Sequence, residues 1–180
     1  MTVKEHTLED LAVAGDISIT LSGETLDTYL SRQPCLYVEW HYGVKNGDDW
    51  EWRSTGYAHE TELKVITAKG SLAVSHRKCR LFLSPSWKKT YLASQAAEAP
   101  DVVRDSLQTQ TQPVTVEEFV LLPGRTYYAR TASETYHLPP RPPSFKPIER
   151  TNTVLWISDQ PFQDGKPQVP ITPVFKHWRY

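Results

Sequence analysis

An all-β fold with minor helix is predicted, as a single barrel-like or sandwich domain with a long insertion and a proline-rich strap. Three observations predict it. Runs of β-branched and aromatic residues recur at residues 33–40, 63–74 and 116–129, broken by Pro, Gly and polar pairs in the manner of strands and turns. Helical periodicity is scarce, and about eight short strands can be marked out at close spacing. A chain of 180 residues suits one sizeable core better than two.

The elements follow in order. Residues 1–15 form an N-terminal arm in which Leu8, Leu11 and Val13 sit among charges, enough for a short helix. Ile17, Ile19 and Leu21 alternate with Asp16, Ser18 and Thr20, a half-buried strand that ends at Ser22-Gly23. Residues 24–29 are ambiguous, with Leu26 and Leu30 at helical spacing, and Pro34 stops whatever precedes it. Residues 35–42 and 50–57 read as a hairpin around a turn rich in Gly, Asn and Asp. A second hairpin joins 62–67 to 71–74 through Ala68-Lys69-Gly70, and 80–83 is a short strand.

Residues 84–112 change character. Pro85, Pro100 and many polar residues, with a helical patch at 93–99, predict an insertion loop leaving the core. Residues 114–122 and 126–130 flank Pro123-Gly124, read as the tight turn of a core hairpin with Gly124 at positive φ. Pro139, Pro140, Pro142, Pro143 and Pro147 make an extended strap that cannot join a central strand. Residues 153–158 close the β-rich region, which spans 16–160. The tail, 161–180, carries Pro161, Pro167, Pro170 and Pro173 and ends in Phe175, Trp178 and Tyr180, expected to dock on their own domain or on a partner.

Charge and motifs narrow the function. With 20 basic and 21 acidic residues, bulk electrostatics give no case for nucleic acid or an anionic membrane, so no nucleic-acid partner is expected. No apolar run is long enough to predict a membrane span, and the first residues do not read as a signal peptide, so the expected address is cytoplasmic. Cys35 and Cys79 lie in apolar runs and are expected to be buried free thiols. No zinc spacing, serine-nucleophile motif or phosphate loop occurs; no metal, cofactor or catalytic residue is assigned.

Glu39 and His41 share a strand face, which predicts a solvated sheet face, with an acid–base pair as the alternative. Trp50 and Trp52 share a face and are expected to pair across their hairpin with Trp40, chiefly as packing, with a single-strand stacking platform as the minor alternative. Basic residues cluster at His76, Arg77, Lys78 and Arg80, at Lys88 and Lys89, and at Arg141, Lys146 and Arg150. They are read chiefly as solvated surface charge, with a partly basic docking surface for a protein partner or an acidic ligand as the alternative. Trp87, Lys88 and Lys89, with Arg141 and Lys146 in the strap and Phe175, Trp178 and Tyr180 in the tail, are the candidate partner-binding residues.

The order Leu21-Ser22-Gly23, then residues 31–37 (Ser-Arg-Gln-Pro-Cys-Leu-Tyr), a Trp-bearing hairpin and the strand ending at 67–74 resembles the GIDE, or beside-a-membrane, domain. Glu118 with Leu122-Pro123-Gly124-Arg125-Thr126-Tyr127-Tyr128 resembles that family's second half, and residues 154–159 its closing strand. The resemblance covers roughly 20–160 and implies a β-rich binding or assembly domain. Family members usually carry flanking membrane helices, which this chain lacks, and the ligases among them act through a RING that two cysteines cannot build. The expected function is a non-enzymatic binding or assembly module acting through protein–protein contacts, with peripheral association with a membrane complex as one setting. The alternatives are a structural subunit of a large assembly, such as a phage tail, and an enzyme whose site is made of scattered residues.

Overall fold

The computed structural model describes residues 7–12, 14–28, 30–59, 62–109, 111–138, 142, 146 and 148–172. In chain order come α1 (Leu8–Ala12), β1 (Ile17–Ser22), β2 (Leu26–Asp27), β3 (Pro34–Cys35), β4 (Tyr37–Asn46), β5 (Asp49–His59), β6 (Glu62–Thr67) and β7 (Gly70–Ser75). There follow β8 (Cys79–Phe82), β9 (Trp87–Tyr91), α2 (Asp101–Thr109), β10 (Val114–Leu121), β11 (Thr126–Leu138) and β12 (Ile148–Ser158). The fold is all-β with minor helix, as the alternation predicts. The strands fall into two compact units.

One unit draws on the spans 1–23, 61–83 and 124–180 and is built on a sheet of order β7-β6-β1-β11-β12-β8. Period two sets its inner face: Ile19 and Leu21 of β1, Leu63 and Val65 of β6, and Leu72 and Val74 of β7 are buried while their neighbours face outward. β8 runs parallel to β12, and all of its residues are buried. α1 contributes Leu11 to the core and packs on β11 and β12.

The two edge strands of this sheet, β7 and β8, are joined by a single 3-10 turn, His76–Lys78. So short a link forces the sheet to roll until its edges meet at the turn. No ladder joins β7 to β8: β7 pairs with β6 up to Ser75, and β8 begins to pair with β12 at Cys79. Among the described residues the sheet is therefore open rather than a closed barrel.

β11 and β12 pair continuously from Tyr128↔Ser158 to Leu138↔Ile148. Only the inner end is sheltered: β1 reaches β11 no further than Ala129, and β8 meets β12 from Leu155 onward. Beyond those points the two strands form a two-stranded ribbon, exposed along 148–152 and mostly half-buried along 130–138. Most of the proline strap, with Pro139, Pro140, Pro143 and Pro147, lies outside the described residues. The tail returns to this unit up to Thr172. Phe162 sits against Trp156 at 6.4 Å between ring centroids, and the Thr172 N–H donates to the Leu81 carbonyl at 2.7 Å.

The second unit spans 24–60 and 84–123, with a sheet of order β5-β4-β10-β9 and a small β2-β3 pair. Even-numbered residues of β4 and β10 face one way. There Val44, Val114 and Val116 pack with Tyr91 of β9 and with Ala99, Val103 and Leu107 of the α2 region. Farther along the same face, Val38 and Val120 pack with Cys35, Leu26 and Ala58.

Three expectations are corrected here. Residues 84–112 are no excursion: they supply β9, a 3-10 segment (Ala93–Glu98) and α2, whose apolar residues complete the core of this unit. Pro123-Gly124 is not a hairpin turn, because β10 pairs with β4 and β9 while β11 pairs with β1 and β12. Gly124 does adopt φ +73°, with its N–H donating to the Leu21 carbonyl at 3.0 Å. Trp40 does not pair with Trp50 and Trp52, for the turn at Gly47-Asp48 fixes Gly43↔Trp52 and Lys45↔Trp50, on the face opposite Trp40.

Candidate interaction surfaces

A register shift between Trp40 and His41 places Trp40 opposite Gly56. Each tryptophan thus lies across a glycine of the partner strand, Trp52 over Gly43 and Trp40 over Gly56. A Cβ on Gly56 would stand 2.7 Å from the Trp40 ring, and one on Gly43 would stand 3.0 Å from the Trp52 ring. The missing side chains let each indole lie flat against the backbone, a cross-strand packing that compensates the weak strand propensity of glycine.

The face shared by Trp50 and Trp52 divides into two zones. In the inner zone Glu39 is 0 % exposed and His41 5 %, so the solvated-face expectation for this pair is overturned. The Tyr37 hydroxyl donates to the Glu39 carboxylate, whose other oxygen lies 2.5 Å from His41 Nε2, and Phe119 meets the imidazole edge-on at 5.6 Å. Burial, and then the neighbouring Glu39 charge, push the Tyr37 phenol well above its ordinary pKa. Carboxylate, phenol and imidazole satisfy one another beneath the surface, which is how a polar cluster becomes tolerable in a core.

The outer zone is open. Trp50 and Trp52 stand 6.3 Å apart between centroids at 34° to one another, and Trp52 is 45 % exposed. Lys88 of β9 reaches over the Trp52 ring at 5.9 Å and pairs with Glu117 of β10 at 2.9 Å. Behind them the Thr90 and Thr115 hydroxyls are bonded at 2.7 Å. The structure thus joins Lys88, marked in the sequence, to a tryptophan pair far from it along the chain.

The other sequence candidates separate. Trp87 turns to the opposite face, half-buried against the α2 cluster, because β9 places it opposite Glu118. Part of its ring packs on that cluster and part stays exposed. Lys89 lies on that face too, 4.9 Å from the Tyr91 ring centroid. Lys146 is exposed, and Arg141, Phe175, Trp178 and Tyr180 lie outside the described residues.

Two buried charges were not singled out as functional by sequence reasoning. Glu118 accepts from the Leu30 N–H at 2.9 Å, the Ser31 N–H at 3.3 Å and the Ser31 hydroxyl at 2.6 Å. It fixes the 28–33 loop, where Arg32 adopts φ 55°. Its signal was parity with Val114, Val116 and Val120 on an otherwise apolar face. Arg80, expected at a solvated surface, is buried: its guanidinium meets Glu134 of β11 at 2.7–3.1 Å and donates to the carbonyls of Arg77 and Cys79.

Cys35 and Cys79 are free and buried, each thiol pushed up to about 12 chiefly by burial. Among the described residues no cluster of His, Cys, Asp and Glu could hold a metal ion, and no helix is long and apolar enough to cross a membrane. Compared with known proteins, the chain matches no family model, no curated protein and no solved structure.

Proposed function

We propose that this chain is a non-enzymatic assembly module that engages a protein partner through the outer part of the β11–β12 ribbon. The observation that carries this reading is the ribbon itself. Beyond Ala129 and before Leu155 its strands pair only with each other among the described residues. An isolated two-stranded ribbon is marginal in water, so a partner that lengthens the sheet or covers a face would stabilise it. Its cross-strand ties are polar and exposed, as with the Thr135–Thr151 hydroxyls at 3.1 Å and Asn152 donating to the Tyr136 hydroxyl at 3.1 Å.

Arg80 holds Glu134 midway along the ribbon, so its outer half extends from an inner half tied to the sheet. The resemblance to the GIDE domain, also a binding or assembly domain, points the same way. A structural subunit of a larger particle is the more specific version of this reading, favoured by the conjunction of a projecting ribbon with a tail that packs on its own sheet up to Thr172. An enzymatic reading of Glu39 and His41 is poorly supported, since both are buried and already bonded to each other.

The test shortens the ribbon. Residues 136–150 are replaced by Asn-Gly, which retains Arg80, Glu134 and the two-residue turn chemistry of a hairpin. The expected outcome is a folded protein that has lost the self-association or co-purifying partner of the parent, read by light scattering after size exclusion and by capture from the native cell. A parent that is monomeric at high concentration and captures the same proteins as the shortened chain would defeat the reading.

A further inference from the structure

The geometry points to a second, separate binding site: the outer zone around Trp50 and Trp52 is a platform for a neutral oligosaccharide. It goes beyond the assembly reading and uses none of the ribbon. Trp52 lies flat over Gly43, one face spent on the backbone and the other turned to the open side of the sheet, where the Lys88 ammonium stands 5.9 Å from the ring centroid. An aromatic face held flat and rigid suits the C–H face of a pyranose ring, because the ring's apolar hydrogens meet the negative face of the indole. Trp50, tilted by 34° at 6.3 Å, supplies a second stacking position close by.

Charge decides between sugar and nucleic acid. Both stack on indoles, but a single strand needs unpaired cations for its phosphates. Here Lys88 is already neutralised by Glu117 at 2.9 Å. Lys45, cross-strand partner of Trp50, shares this face as a second cation, while Asp49 pairs with Asn46 on the opposite face and Asp48 lies in the turn beside them. At Trp52 itself the charge is balanced: an ammonium that donates stands over the indole, paired with a carboxylate that accepts. That pairing matches a neutral ligand whose hydroxyls do both. The Lys88 side chain, 58 % exposed, can turn from the ring to a ligand without unfolding anything.

The experiment titrates the full chain with cellohexaose, maltohexaose and chitohexaose, with the single strand dT12 as anionic comparator, following tryptophan emission and calorimetric heat. At least one hexasaccharide is expected to bind. Trp52→Ala should weaken it roughly tenfold or more, and Lys88→Ala and Glu117→Gln about threefold each. The ribbon-shortened chain should bind like the parent, so failure of the assembly reading and failure of this one remain distinguishable. If Trp52→Ala does not fold, Lys88→Ala carries the decision, since its side chain reaches the surface. The proposal is overturned if no hexasaccharide binds up to about 10 mM, a limit near the weakest affinities worth measuring. It is equally overturned if the folded variants bind as the parent does, or if dT12 binds more tightly than every hexasaccharide.

Discussion

The two sheets handle buried charge in opposite ways. In the six-stranded sheet the buried guanidinium of Arg80 meets a carboxylate, Glu134. The four-stranded sheet buries Glu118 on one face and Glu39 on the other and holds them with N–H, hydroxyl and imidazole groups. An ion pair between two strands can be exchanged for apolar packing at little cost. A carboxylate that gathers the N–H groups of a loop cannot, because its removal strands several donors at once. The first kind of charge ties two strands of one sheet, β8 to β11 across β12, and the second decides where a loop goes.

The sharpest way to break this comparison is at Glu118. Glu118→Ala should cost about 3 kcal/mol, since the Leu30 and Ser31 N–H groups lose a charged acceptor in a buried setting. Chemical denaturation reads the loss, and hydrogen exchange at 28–33 should rise with it. A loss below about 1 kcal/mol would make the loop self-supporting.

Arg80 should show the contrasting behaviour. Arg80→Met is expected to cost roughly 2 kcal/mol alone because Glu134 is left without its partner, whereas Arg80→Met with Glu134→Leu should recover most of it. A double variant as unstable as the single one would place Arg80 in the same class as Glu118, with its bonds to the Arg77 and Cys79 carbonyls the decisive ones.

Gly124 tests the crossing between the sheets. At φ +73°, with open space where a Cβ would stand, Gly124→Val should cost about 1–2 kcal/mol of backbone strain and no packing. Gly124→Asn, which tolerates that conformation better, should cost less than half as much, read as the difference in unfolding midpoint. Equal losses would mean that contact rather than conformation sets the penalty.

The smallest effect is alkaline. The Cys79 thiol is raised from 9.0 to about 12 in the folded chain, so the unfolded chain ionises first. This contribution is whole below about pH 9 and is lost as pH climbs toward 12. Cys79→Ala should therefore flatten the fall in melting temperature over that window relative to the parent. At pH 8 both cysteines of the native protein should resist a thiol reagent and react fully once denatured. Rapid labelling of native Cys35 or Cys79 would contradict their burial.

Much of the fold was legible in the sequence. Ile17, Ile19 and Leu21 announce a strand, and the Ala68-Lys69 turn announces its hairpin, because alternation and turn chemistry are local. The site was legible only in part. Lys88 was marked and Trp50 with Trp52 were placed on one face, but nothing local says that β9 and β5 present them to the same side. Trp87 and Lys88 were marked together, but an edge strand and an insertion loop look alike until β10 pairs with one of them, and that pairing sends the two side chains to opposite faces.

By itself the sequence determined an all-β chain, most of its strands, two buried free thiols and the positive φ of Gly124. Only the tertiary structure decided that Pro123-Gly124 passes the chain from one sheet to another rather than folding it back. It also decided that Glu118 reaches a loop 88 residues away and that Trp52 lies on glycine rather than on Trp40. The physical reason is range. Side-chain periodicity is fixed by each residue's neighbours, while sheet order and register are fixed by pairings between distant segments, and shifting a register by one residue sends every side chain to the other face.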